Sequence, residues 1–272
     1  MAQYAVSIED VEFAKPGGTP LLARLYRPKG PGPFPAVVEV HGGAWVMNDR
    51  LANAAIDQPL AESGAVVVAI DFRMPPQAKY PASIADINFA IRWLKARATE
   101  LGSAPELVGG LGTSSGAHQL LLAAMRPGDA RYAALPGPGD AKLAFAVLCW
   151  PIADPLARYR MVKQKGNARL VEAHDAYWAS EAEMAEGNPQ LILERGEKVE
   201  LPPAIVLQGT ADDNVTPDMA DKFTAAYRKA GGRIELEKYE GQPHTFVPRD
   251  PTTEASKKAL KSIIAFVRSQ VR

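Results

Sequence analysis

Three features of this 272-residue sequence predict an α/β fold built on a mostly parallel sheet: short β-branched apolar runs, longer amphipathic stretches between them, and chemically distinctive residues directly after the runs. AVVEV before His41, AVVVAI before Asp71, LVGGLG before Thr113, LAFAVLCW before Pro151 and AIVLQG before Thr210 carry no polar alternation, as expected of strands covered on both faces. PASIADINFAIRWLKARATELG opens with proline and sets Ile84, Ile87, Ile91 and Leu94 on one helical face, so helices cover the sheet. At the start, VEFA and LLARLYRP flank the turn KPGGTP and predict an antiparallel hairpin. IELEKYEG reads as a last strand, followed by a basic amphipathic helix over 254–271, and a helix is expected to begin near Pro217.

The spacing breaks once. After Trp150 about fifty residues precede the next strand, and they carry Tyr159, Met161, Tyr177, Trp178 and Met184. So long a connection reads as a lid over residues 151–202, or as surface helices whose aromatics pack down on the domain.

Formal net charge is zero with both signs interspersed, which removes the electrostatic argument for nucleic-acid or anionic-membrane binding. MAQYAVSIED lacks a basic segment leading into an apolar core, and no run has the length of a membrane span, so a cytoplasmic protein is expected. The single cysteine, Cys149, lies in an apolar run and reads as a buried strand residue.

The stretch GGLGTSSGAHQLLLAAM from Gly109 has two readings. A dinucleotide loop needs G-x-G-x-x-G, but Ser115 takes the third glycine's place, and no lysine follows for a Walker loop. G-x-S-x-G is satisfied by Gly112, Ser114 and Gly116, and by no other choice of central hydroxyl. A serine at the apex of a tight strand-to-helix turn needs small neighbours two before and two after, so Ser114 is the candidate nucleophile. Thr113 has no role that the pattern supplies.

A serine needs a histidine to take its proton and a carboxylate to orient that histidine. His244, in YEGQPHTF after the last strand, is the candidate base. His118 reads as structural, His174 as solvent-exposed in the charged insertion, and His41 as belonging to the HGGAW loop. LQGTADDNVTP offers Asp212 and Asp213 in the chain order nucleophile, acid, histidine, and spacing alone leaves the choice open.

HGGAW, DFRMPPQAKYPASIADINFAIRWL, GTSSGAH, GTADDNVTP and GQPHTF, in that order, resemble the α/β-hydrolase superfamily, in particular its carboxylesterase branch with an HGG oxyanion motif. The similarity runs from Leu21 onward. It implies one domain over 1–272, with about eight strands in a mostly parallel sheet, helices on both faces, and a small helical lid after the sixth strand. It also implies Asp212 as the acid, and an oxyanion hole made from the backbone of Gly43, Ala44 and Ser115. His41 would brace that loop, Asp71, Arg73 and Asp86 would form a polar cluster behind the site, and Trp45 and Trp150 would line the acyl or alcohol pocket or pack in the core. The implied reaction is hydrolysis of small carboxylic esters through an acyl-enzyme, with amide hydrolysis as the alternative, since kynurenine formamidases and the dipeptidyl-peptidase catalytic domain are also similar. No cofactor or metal is expected: HExxH and paired cysteines are missing and the histidines are far apart. A small-molecule ester is the expected partner, and a homodimer a further expectation. The elbow reads GTSSG where many relatives carry GDSAG, and HGGA replaces HGGG, which leaves the subfamily open.

Overall fold

The computed structural model describes residues 4–270; residues 1–3 of the MAQYAVSIED start and Val271 of the expected last helix lie outside them. Among the described residues one eight-stranded sheet runs in the order β1-β2-β4-β3-β5-β6-β7-β8. β1 (Val6–Ala14) and β2 (Leu21–Pro28) form the antiparallel hairpin, longer at its start than VEFA suggested, and β2 pairs antiparallel with β4 (Val66–Ile70). β3 (Phe34–Val40), β4, β5 (Ser103–Thr113), β6 (Ala146–Cys149), β7 (Ala204–Gly209) and β8 (Ile234–Tyr239) are parallel.

The pleat sorts β3 between two cores. Val38 and Val40 join Ile84, Ile87 and Ile91 of α2 (Ala82–Arg97), Leu120 of α3 (Ser115–Met125) and Phe223 of α8 (Pro217–Lys229). Val37 faces the other way, onto Ile56 and Leu60 of α1 (Ala54–Glu62) and Ile263 of α10 (Glu254–Ser269). Each such side chain, fully buried, contributes about 1.5–3 kcal/mol, so the predominantly apolar runs are stable as central strands between helical layers. Helix α1 escapes a periodicity reading because it is nine residues long and contains Pro59. Cys149 is fully buried in β6, where loss of hydration pushes its thiol pKa up.

The connection after β6 holds four short helices: α4 (Pro155–Gln164), α5 (Ala168–Tyr177), α6 (Glu181–Glu186) and α7 (Pro189–Glu194). Each begins at a side-chain cap, Asp154, Asn167, Ser180 and Asn188 accepting the N–H of Ala157, Leu170, Glu183 and Leu191 respectively. Such caps contribute typically ~1 kcal/mol each, which matters most in helices of only one or two turns. Tyr177 and Trp178 are buried against Trp45, Tyr177 stacking on it at 5.4 Å and 9°. A turn of four residues, α9 (Phe246–Arg249), follows β8. No helix among the described residues is long and apolar enough to cross a membrane.

Candidate active site

The carboxyl ends of β3, β5, β7 and β8 deliver the HGGAW loop, Ser114, Asp212 and His244 to one edge of the sheet, where open α/β sheets gather their sites. Ser114 lies between β5 and α3 at φ 52° and ψ −118°, a backbone conformation that costs on the order of 1–3 kcal/mol. The flanking glycines make that turn possible. A Cβ on Gly116 would stand 2.1 Å from the carbonyl oxygen of Val40, and one on Gly112 would stand 2.6 Å from Cα of Ala117. The G-x-S-x-G spacing is therefore a packing requirement of α3 against β3 and β5.

The three neighbouring hydroxyls have separate fates. Thr113 Oγ1 accepts hydrogen bonds from Gly42 N–H at 2.8 Å and from Asn53 Nδ2 at 3.0 Å. Ser115 Oγ accepts from Trp45 N–H. Ser114 Oγ alone meets His244, at 2.9 Å from Nε2. His244 Nδ1 lies 2.7 Å from Asp212 Oδ2. An ionised carboxylate only accepts, so the proton sits on Nδ1 and the Nε2 lone pair faces the serine hydroxyl. Asp212 is held by four donors: Asn214 and Val215 N–H on Oδ1, and His244 and Gln208 on Oδ2. Asp213 next to it is exposed, and among the described residues only its backbone carbonyl is engaged, by Lys165. Tertiary structure thus separates two aspartates that spacing could not.

Ala44 and Trp45 both hold positive φ, 51° and 67°, which turns the HGGAW loop back over Ser114. The flanking Gly42 and Trp45 N–H groups are consumed by Thr113 and Ser115, whereas those of Gly43, Ala44 and Ser115 find no protein acceptor among the described residues. Gly43, Ala44, Ser114 and His244 line one cavity of about 450 Å³. A serine, a correctly oriented histidine and free amides beside one cavity form an arrangement that can carry acyl transfer.

Sequence comparison agrees with this geometry. Residues 24–227 match the family model BD-FAE. The chain belongs to the BD-FAE family. Among the relatives of this BD-FAE chain, the carboxylic ester hydrolase LipN of Mycobacterium tuberculosis is 27% identical over 254 residues, covering 90% of this chain and 65% of that protein. The esterase LipQ of the same organism is 27% identical over 84% of this chain and 54% of its own length. The chain thus spans about half to two thirds of the length of these curated relatives. Among solved structures, the propionate-bound esterase Est2 of Thermogutta terrifontis superposes with a TM-score of 0.77 at 26% identity, covering 96% of this chain and 94% of that one. An esterase from Pyrobaculum calidifontis shares the fold with a TM-score of 0.82 at 24% identity, over 99% and 86% of the two chains. The BD-FAE chain has the α/β-hydrolase fold.

Several expectations need correction in this BD-FAE member. His174 is not exposed: it is fully buried, with Nδ1 donating to the Leu170 carbonyl and its ring against Trp45, and burial together with Arg158 pushes its pKa down to about 3. The charged residues of its segment face outward on short helices, so average polarity misled. Trp45 and Trp150 do not line the cavity. Trp45 is a buried anchor whose Nε1 donates to His118 Nδ1, and Trp150 packs beneath His244 and Phe246. Asp71 does not join Arg73 and Asp86. Arg73 grips Asp86 through both its main chain and its guanidinium, whereas Asp71 pairs with Arg50. His118 is structural, as read, bridging Trp45 and the Gly187 carbonyl, and burial brings its pKa down to about 4. His41 is buried and neutral in character, donating from Nδ1 to the Gly42 carbonyl and stacking on Phe72.

The residues that sequence reasoning missed stand under the HGGAW loop. Asn53 donates to both Glu39 Oε1 and Thr113 Oγ1, linking a buried acid to the hydroxyl that holds Gly42. Thr113→Val should strip this anchor and leave the Gly42 N–H without its partner. The expected result is a loss of about 10-fold or more in kcat, from the 1–3 kcal/mol of an unmade hydrogen bond. Steady-state kinetics with intact thermal unfolding checks it.

Glu39 and Asp57 are both fully buried on the α1 side, and both Asp57 oxygens lack a hydrogen-bond partner among the described residues. Burial pushes Glu39 up to about 8, and burial with the neighbouring Glu39 pushes Asp57 well above the ordinary carboxyl range. Both carboxyls therefore take up protons on folding. Their cost is absent below the unfolded-state pKa of about 4 and grows as pH rises toward the folded-state values. Asp57→Asn should accordingly raise Tm more at pH 8 than at pH 5, by about 2–4 °C for each kcal/mol recovered. Thermal unfolding at the two pH values decides it; an equal change at both would contradict the assignment.

Proposed function

We propose that the protein hydrolyses small carboxylic esters through an acyl-enzyme on Ser114. The observation that carries this reading is the hydrogen-bonded chain from Ser114 through His244 to Asp212, beside amides with no other partner. The esterase names of its relatives and of the Thermogutta structure support the same chemistry.

Ser114 Oγ attacks the ester carbonyl carbon while His244 Nε2 takes its proton, and the carbonyl electron pair moves onto oxygen. Gly43, Ala44 and Ser115 N–H groups stabilise that oxyanion; one comparable donor contributes roughly 2.7–4 kcal/mol to the barrier. Collapse breaks the bond to the alcohol oxygen, which leaves with the proton from His244. Water then repeats the sequence on the acyl-enzyme, releasing the acid and regenerating Ser114. Asp212 holds the imidazole in register and stabilises its charged form. The segment 151–202 acts as a cap, since Arg158 of α4 and Arg169 and Leu170 of α5 reach the cavity wall.

Purified protein is expected to hydrolyse 4-nitrophenyl acetate or butyrate and to gain one stoichiometric adduct from a fluorophosphonate. Absence of both would overturn the proposal. Esters should be cleaved faster than the matching formamides and anilides, which separates this reading from amide hydrolysis.

A further inference from the structure

The cavity beside Ser114 is positively charged, although the protein as a whole has no net charge. Its wall carries Arg158, Arg169 and Arg249 and no aspartate or glutamate. They come from three elements, α4, α5 and α9, so the cluster is assembled by the fold and is not a basic run. None of the three lies within 4 Å of a carboxylate among the described residues, whereas Arg50, Arg73 and Arg126 all do. Arg158 is the most telling. It is 1% exposed, packed over the Trp45 ring, and its partners are the side-chain and main-chain oxygens of Asn214 and His174 Nε2. A buried guanidinium held only by an amide, a carbonyl and a ring nitrogen is costly, and the opposite charge that it feels, that of Asp212, lies outside ion-pair distance. Burial pushes the Arg158 pKa down to about 10; Asp212 attracts its charge, and Arg169 lies close enough to repel it.

We propose that the substrate is an ester bearing a second, anionic group, a carboxylate, which occupies the arginine-lined part of the cavity while Ser114 attacks the ester carbonyl. The proposal rests on the ester-hydrolase reading above and deepens it. Guanidinium groups take carboxylates with two parallel hydrogen bonds, and in a partly enclosed site the charge attraction is less screened than at the surface. Arg158, with no remaining freedom, sets the position of the anion; the exposed Arg169 and Arg249 draw it in and close over it. A cavity of about 450 Å³ holds the half-ester of a short dicarboxylic acid or the acyl ester of a short hydroxy acid.

The test compares charged and neutral isosteres in two arms. One sets the anion on the acyl side, monomethyl glutarate against methyl pentanoate; the other sets it on the alcohol side, 2-acetoxypropionate against isopropyl acetate. In at least one arm kcat/KM should be about 10-fold or more higher for the anionic ester at low salt, and the ratio should shrink toward one by about 0.5 M salt. The double variant Arg169→Gln/Arg249→Gln, which changes only exposed side chains, should lower that ratio at least several-fold, mainly through KM. Arg158→Lys, keeping charge but losing the fork, should also lower it, with thermal unfolding as the folding control. Ratios at or below one in both arms, with the neutral esters hydrolysed and the fluorophosphonate adduct formed, overturn the anion proposal alone. No hydrolysis of any ester and no adduct overturn the ester-hydrolase reading on which it rests.

Discussion

Ser114→Ala is expected to lower kcat toward esters by about a million-fold and to abolish fluorophosphonate labelling. In the proposed mechanism its hydroxyl oxygen forms the acyl bond, and neither neighbour is placed to replace it. Ser115 Oγ is turned toward Trp45 N–H, and Thr113 Oγ1 toward Gly42 and Asn53. Residual rate should come from the amides of Gly43, Ala44 and Ser115, which still polarise a bound ester toward water. Stability should change little, because the lost side-chain bond is the single contact to His244. A variant that retains labelling would move the nucleophile elsewhere.

Asp212→Asn should lose about four orders of magnitude in kcat with KM little changed, whereas Asp213→Asn should stay within a few-fold of the wild type. The reason lies in the donors around residue 212. Asn214 and Val215 N–H both point at Oδ1, so an asparagine places its carbonyl there and turns its NH₂ toward His244 and Gln208. Facing a donor, Nδ1 must give up its proton to Nε2, and an Nε2–H cannot accept a proton from Ser114. Rotating the amide the other way sets its NH₂ against two main-chain N–H groups, which is costly in a side chain with no exposure. Asp213, exposed with only its main chain engaged, has no such lever on the imidazole. Steady-state kinetics of both variants checks the pair, and the reverse pattern would transfer the role to Asp213.

The central strands were legible because their runs are mostly apolar without polar alternation, Glu39 and Gln208 being buried exceptions, a pattern expected of a doubly covered sheet. Ile84, Ile87, Ile91 and Leu94 showed the inner face of α2 for the same reason, and all four are fully buried. Helices α1, α6, α7 and α9 were not legible: they are too short, or interrupted by Pro59, for a 3.6-residue period to emerge; α6 and α7 begin at side-chain caps, whereas α1 and α9 have none and hold through packing. Trp45 and Trp150 stayed open between pocket lining and core because a large aromatic near such a motif serves equally well as lining or as foundation, and both are buried in the core.

The sequence by itself determined the layered α/β fold and singled out Ser114 and His244 as the candidate nucleophile and base, since strand composition and a glycine-flanked turn are local constraints that short-range sterics impose. The tertiary structure decided which aspartate meets the histidine, what Thr113 anchors, that His174 is buried, and that Arg158, Arg169 and Arg249 converge on one cavity without carboxylates. Those outcomes depend on directions and distances between segments far apart in the chain, which no spacing along the sequence encodes.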